Sequence, residues 1–497
     1  MAEPLPGSCL YRPAPGMSFP RGHGEETERM TGPPGTSPTA PEPGTPFGGE
    51  TRTPADTPAL VRSPRYVVLL VVAALLGVPV CAAAFGFLAL VDTLQTLLWE
   101  DLPTVLGLGE APFWWPLPLL AVGGLCTGLA VRFLPGNGGH EPSAGLAPTG
   151  APRVAELPGV VLAALASLAF GAVLGPEAPL LALGAGLAAN AVRLARHDPA
   201  PQLRSVLGAA GSFAAVSSLL GSPLLGAFLL MEASGLAGAM LGPVLVPGLL
   251  AAGVGSLLFV GLGSWTGLGT FALELSEVPT AHEPTVPEFG YAVLTGLLAA
   301  LAGAGVRMAA TRLRRRVEPR RVSGTVCLGL AAGVVAVGYA LGTGREAGEV
   351  LFSGQTALNP LLAKGAGYAA GTLALLLACK AVLYGLCLAG FRGGPVFPAM
   401  FLGAGGGLLL AHLPGLTSLS GFAMGVGAMG TAMLRLPLTS VLLATLLLGK
   451  AGLTVMPLVI VAVVTAYVGS AVLSPPPANR ASGEGPARAG GGPPPPE

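Results

Sequence analysis

Charge is scarce in this chain. Asp, Glu, Lys and Arg together make up 10% of its 497 residues, against 52% hydrophobic, which excludes an ordinary soluble globular protein. Lysine stands only at positions 364, 380 and 450, and the net charge is +1. That balance gives no basic field for nucleic acid, so no nucleic-acid partner is expected. The chain has five histidines, none placed as a base inside a long apolar run. It has no H-E-x-x-H and no G-x-S-x-G, so an intramembrane enzyme lacks its reacting groups. The six cysteines (Cys9, Cys81, Cys126, Cys327, Cys379, Cys387) show no paired spacing, and five sit in apolar runs. They read as small packing residues rather than disulfides or metal ligands. No cofactor is implied.

Long apolar runs are abundant. Val67–Leu90, Phe113–Phe133, Leu241–Leu262, Tyr291–Ala310, Val326–Leu341, Gly367–Leu388 and Met456–Val472 each approach the ~20 residues that cross a bilayer core as a helix. They lack the alternation of a β-barrel, so the chain is expected to be an all-α polytopic membrane protein. Shorter or broken segments lie between them: Val160–Phe170, Ala178–Leu194, Leu207–Leu220, Leu224–Met231, Ala399–Leu413 and Leu438–Leu448. Irregular backbone at membrane depth is tolerated only where protein or a watery cavity lies alongside it.

Residues 1–64 and 475–497 are Pro/Gly-rich with little apolar surface, and are expected to be disordered. The membrane part, 65–474, divides at the linker Glu274–Pro287 into repeats of about 65–265 and 286–474. Arginine clusters at Arg62/Arg65, Arg193/Arg196/Arg204 and Arg312–Arg321, while Glu100, Asp101 and Glu110, and later Glu274, Glu277, Glu283 and Glu288, lie in loops without Arg or Lys. The positive-inside rule places the arginine loops and both tails in the cytoplasm. The Arg312–Arg321 patch reads as a topology signal, with anionic lipid as its other reading. Many arginines and few lysines suggest a GC-rich bacterial genome, hence a plasma membrane.

A phrase of the form G-P-x-x-P-x-x-x-L-G-A-G occurs twice, from Gly175 to Gly186 and from Gly394 to Gly405. Pro223-Leu224 and Pro437-Leu438 echo each other after nearly the same separation. Gly/Pro-interrupted apolar segments at matching places in two halves point to a transporter's substrate site. Proline near the first helical position leaves the amides of Glu177, Ala178, Val396 and Phe397 among the unpaired donors at helix starts. Such ends hold anions through partial charge alone, weakly enough for release. Glu177 is itself an anion at such an end. It can act as a gate that competes with the permeating ion, or merely complement the helix dipole; an intramembrane carboxylate favours the first.

These turns resemble those of the CLC family of chloride channels and chloride/proton antiporters. Gly175-Pro176-Glu177-Ala178-Pro179 is similar to the family's G-(K/R)-E-G-P turn, Gly393–Pro398 to its G-G-x-F-x-P turn, and Gly136–Glu141 to its G-S-G-I-P-E turn. The resemblance implies an inverted-repeat bundle of about 18 membrane helices, assembled as a homodimer in the lipid bilayer. It further implies chloride as the transported ion and Glu177 as the gating glutamate. The anion would be held at Asn137, Gly138, Ala178, Val396 and Phe397.

Departures from the family pattern qualify this. Pro176 replaces a basic residue, Asn137 the serine hydroxyl, and Val396 the usual Phe; Pro395 removes a backbone donor. The tyrosine expected beyond the last span has no counterpart. Matching Pro223-Leu224-Leu225-Gly226 to the family's P-L-x-G segment puts Ala233 where antiporters carry an inner glutamate, with Glu232 one position before. This points to uncoupled chloride flux. A chloride/proton antiporter using Glu232, and a carrier of fluoride or nitrate, stay open. An organic-anion carrier should show more polar and aromatic residues at midplane than this chain has. His140–Glu141 reads as a solvated loop pair. Lys380 and Arg392, near the second turn, either raise local anion concentration or mark helix ends.

Overall fold

In a computed structural model, the described residues are 62–146, 150–195, 201–235, 241–276, 278–364 and 367–473. They belong to one compact unit, Arg52–Glu497; the other unit, Met1–Thr51, and the segment 474–497 lie outside them. The expectation of disordered tails therefore falls almost wholly outside the described residues.

Besides the π-helical turn Leu97–Asp101 and the single turn Leu102–Val105, the first half comprises α1 (Pro64–Thr96), α2 (Pro116–Phe133), α3 (Leu157–Leu168), α4 (Glu177–Ala195), α5 (Pro201–Leu219), α6 (Pro223–Ser234) and α7 (Leu241–Thr266). The second comprises α8 (Val286–Val317), α9 (Arg321–Thr343), α10 (Leu358–Lys364), α11 (Ala370–Gly390), α12 (Val396–Leu410), α13 (Ser418–Leu434), α14 (Pro437–Leu447) and α15 (Gly449–Leu473). The expected count of about 18 is approximate, since stretches such as Pro142–Ala144 and Ala347–Val350 are single 3-10 turns. Local chemistry sets the starts. Ser63 accepts the Tyr66 amide at 3.2 Å with Pro64 behind it, and Glu288 folds back onto the Thr285 amide at 2.9 Å, in the manner of N-terminal caps.

The two halves repeat their packing. Helix α1 lies on α7 as α8 lies on α15, and α4 pairs with α5 as α12 pairs with α13. The repeated L-G-A-G explains itself here. A Cβ on Gly184 would collide with the Gly211 carbonyl, and one on Gly403 with the Gly425 carbonyl. The second glycine of each motif is matched too: Gly186 faces Leu157 and Gly405 faces Leu377, each with the Cβ position 2.5 Å from a leucine methyl carbon. Both helix pairs thus cross at backbone contact, which only glycine permits.

Helix α13 was not singled out from the sequence. All residues from Leu419 to Leu434 are buried. Its Gly/Ala/Met run is apolar but shorter than a bilayer span and has no polar face, so no periodicity marks it. Its place at the centre follows from its small residues, which admit neighbours on every side.

Candidate functional site

The two repeated turns meet. Gly175 donates its amide to the Gly394 carbonyl at 2.8 Å, and Gly394 returns the bond at 2.5 Å. This pair is the one β-bridge among the described residues. Helix α4 begins at Glu177 and α12 at Val396, so the bridge holds two helix starts side by side.

The Glu177 side chain crosses from its own helix to the other. It is fully buried, and its Oε1 accepts the Phe397 amide at 2.8 Å. The amides of Val396 and of Glu177 itself also act on it. A carboxylate there gains both free N–H groups and the dipole of α12. Its Oε2 is buried without a hydrogen-bond partner, so half the seat is unsatisfied. A Cβ on Gly394 or Gly175 would overlap the carboxylate; glycine at both positions makes the space. Glu177, Ala178, Val396 and Phe397 are therefore brought together.

A cavity of ≈1310 Å³ lies next to the first turn, with Leu174 and Pro176, the neighbours of Gly175, in its lining. Ala340, Gly344 and Arg345, at the C-terminal end of α9, also line it. The Arg312–Arg321 patch is at the opposite end of that helix. Its lining bears Asp92, Glu100, Glu110, Glu274 and Glu346 against the single cation Arg345. Arg345 is already paired with Glu349 at 2.8 Å, and that bond raises its pKa.

Asn137 and Gly138 lie in the turn after α2, where Gly136, Asn137, Gly138 and Gly139 all have positive φ. The Asn137 side chain is exposed and Gly138 is buried. Arg392 ties this turn to the second-repeat turn: its Nε and Nη2 donate to the Asn137 carbonyl at 3.3 and 3.2 Å. Its own amide donates to Ser167 Oγ at 2.9 Å. Nearby, Glu141 pairs with Arg314. Burial lowers the His140 pKa, and Nε2 lies 2.7 Å from the Gly145 carbonyl. A carbonyl can only accept, so Nε2 carries the proton of the neutral ring.

Glu232 and Ala233 lie elsewhere, where α6 meets α14. Glu232 accepts from the amides of Leu438 at 2.9 Å and Thr439 at 2.7 Å, and from the Thr439 hydroxyl at 2.6 Å. It caps a helix of the other repeat, as Glu177 does, but with both oxygens engaged.

Two residues escaped the sequence reading. Tyr384, fully buried on α11, donates its hydroxyl to the Pro395 carbonyl at 2.7 Å. It is close enough for the Glu177 carboxylate and the Arg307 guanidinium to act on it. Arg307, on α8, is the second. The available signal was the polar stripe Lys380, Tyr384, Cys387 at helical spacing on an otherwise apolar helix. Lys380 is fully buried, donating to the Leu351 carbonyl at 2.8 Å with the Phe401 ring centroid 4.5 Å from Nζ.

The comparisons agree with this geometry. The family model described as voltage gated chloride channel matches residues 123–470. The chain is 30% identical over 335 residues to the putative ion-transport protein YfeO of Escherichia fergusonii, covering 65% of this chain and 74% of that protein. Among solved structures, a slow cyanobacterial Cl-/H+ antiporter is similar with a TM-score of 0.65 at 17% identity, over 82% of this chain and 94% of that one. A CLC-type fluoride/proton antiporter is similar with a TM-score of 0.60 at 20% identity, over 81% and 95%. With paired inverted turns, a carboxylate seated between two helix starts and this family match, the chain belongs to the CLC family of voltage gated chloride channels, integral membrane proteins that transport anions.

Proposed function

We propose that this protein passes chloride across the bacterial plasma membrane through a pore in each subunit of a homodimer, and that Glu177 is the gate. The observation that carries this is the Glu177 carboxylate on the Phe397 amide. It occupies the donors that an anion would use, so an anion gains the site when the side chain leaves or is neutralised. Asn137, Gly138, Ala178, Val396 and Phe397 supply the remaining donors along the path. The positive-inside rule places the Arg312–Arg321 side and both tails in the cytoplasm, and the acidic cavity outside.

Flux is read here as uncoupled from protons. Ala233 has no titratable group, and both Glu232 oxygens are engaged at the start of α14. The second reading is anion/proton exchange, of chloride or fluoride, favoured by the two antiporters of similar fold. Reconstitution in liposomes with anion efflux and internal pH followed together separates the two, for wild type and Glu177→Gln. Chloride efflux without proton movement is the expected result. Stoichiometric proton counter-movement, lost in Glu177→Gln, overturns the uncoupled reading, and absence of any anion flux overturns transport.

A further inference from the structure

We propose that Arg307 is a side-chain anion-binding station on the arginine-rich side of the Glu177 seat, so that the permeating ion meets a full positive charge before the backbone donors. This rests on the anion-transport reading above.

Three observations place Arg307. On α8 it falls between Gly303, Val306 and Ala310, all buried, so it belongs to the inward stripe rather than to the lipid-facing one. The Gly303 position touches Ala432 of α13, and the Gly385 position of α11 faces the Val306 carbonyl. Arg307 therefore stands where α8, α11 and α13 converge, one turn beyond the α8–α13 contact. Tyr384 and Arg435 both act on it electrostatically, and Tyr384 reaches on to Pro395 at 2.7 Å. The order from the patch side is then Arg435, Arg307, Tyr384, the Pro395–Phe397 turn, Glu177 and the acidic cavity.

The electrostatics then call for an anion. Arg307 Nη1 is buried with no hydrogen-bond acceptor among the described residues. Among the described residues no carboxylate stands within ion-pair distance of it, whereas Arg314, Arg321 and Arg345 each have one. Arg435, the C-cap of α13 and exposed, adds a like charge. Arg307 is half-buried, and the nitrogen that is withdrawn from water is the one left without a partner, an arrangement that costs free energy in a membrane protein. A transported anion is the group that satisfies it, and the guanidinium fork donates to a halide or a planar oxyanion alike. Arg392 and Lys380 do not fill this role, since their donors are engaged by the Asn137 and Leu351 carbonyls.

The test uses the purified full chain in detergent and in proteoliposomes, with chloride as the probe. Chloride binding is measured by calorimetry, and the half-saturating chloride of efflux by electrode. Arg307→Gln is expected to weaken binding about tenfold and to raise half-saturation in parallel, while Arg307→Lys stays within about threefold of wild type. If Arg307→Gln is not monodisperse, Arg307→Met against Arg307→Lys reads the same contrast. Unchanged binding in Arg307→Gln, or an equal loss in Arg307→Lys, overturns the station and leaves transport standing. A wild type that neither binds nor passes chloride, fluoride or nitrate overturns the transport reading, and this one with it.

Discussion

The Glu177 carboxylate accepts the Phe397 amide at 2.8 Å although 220 residues separate the two. Each residue opens a helix that its own repeat supplies, and neither helix start is complete without the other. A carboxylate from one repeat caps a helix of the other repeat twice in this molecule. At Glu177 one oxygen stays unpaired; at Glu232 both are bonded. That difference is why Glu177, and not Glu232, is the side chain proposed as the gate.

Crowding the seat should therefore mimic opening it. A methyl group on Gly394 overlaps the Glu177 carboxylate, so Gly394→Ala is expected to evict it and raise chloride efflux toward that of Glu177→Gln. The double variant should then match Glu177→Gln alone in a liposome efflux assay. Additive effects would show that Gly394 acts elsewhere.

Glu232 should matter to stability more than to transport. Replacing it with Ala removes three bonds at the start of α14 and leaves two amides without their acceptor. A loss of about 1–2 kcal/mol is expected for such a cap. Thermal unfolding in detergent should show the drop, while efflux per folded protein stays within about twofold.

Arg392 should be required for the Asn137 turn. Four consecutive positive φ values make that turn an unfavourable local conformation for a non-glycine residue. The guanidinium holds its carbonyl from the other repeat. Arg392→Ala is expected to destabilise by about 1–3 kcal/mol and to cut efflux at least tenfold; the fork-shaped contact predicts poor rescue by Lys. Melting temperature and efflux measured on the same preparation check both parts.

The acidic cavity should make flux depend on ionic strength from one side only. Carboxylates lining a cavity repel an incoming anion over roughly a Debye length, about 10 Å at 0.1 M salt and 30 Å at 0.01 M. Neutralising Glu346 or Glu100 is expected to raise influx from the cavity side two- to fivefold at ~10 mM salt and to change little at ~300 mM. Sided bilayer recordings would show it, and an equal effect from both sides would contradict it.

Much of this was legible in sequence because it depends on neighbours along the chain. Apolar length set which helices could cross a bilayer; Pro and Gly marked where the broken ones start; the repeated G-P-x-x-P-x-x-x-L-G-A-G exposed the duplication and singled out Glu177. The phrase pointed at helix starts, and α4 and α12 begin there. Other features could not be read that way. No spacing announces that Phe397 would hold Glu177, that Arg392 would grip Asn137, or that Glu232 would cap the helix opened by Leu438 and Thr439. Helix α13 is apolar but left no periodic trace, because full burial on all sides requires no polar face. Local chemistry determined the elements and the turns; only the packing of one repeat against the other decided which donor faces which charge, since that geometry is fixed by contacts hundreds of residues apart.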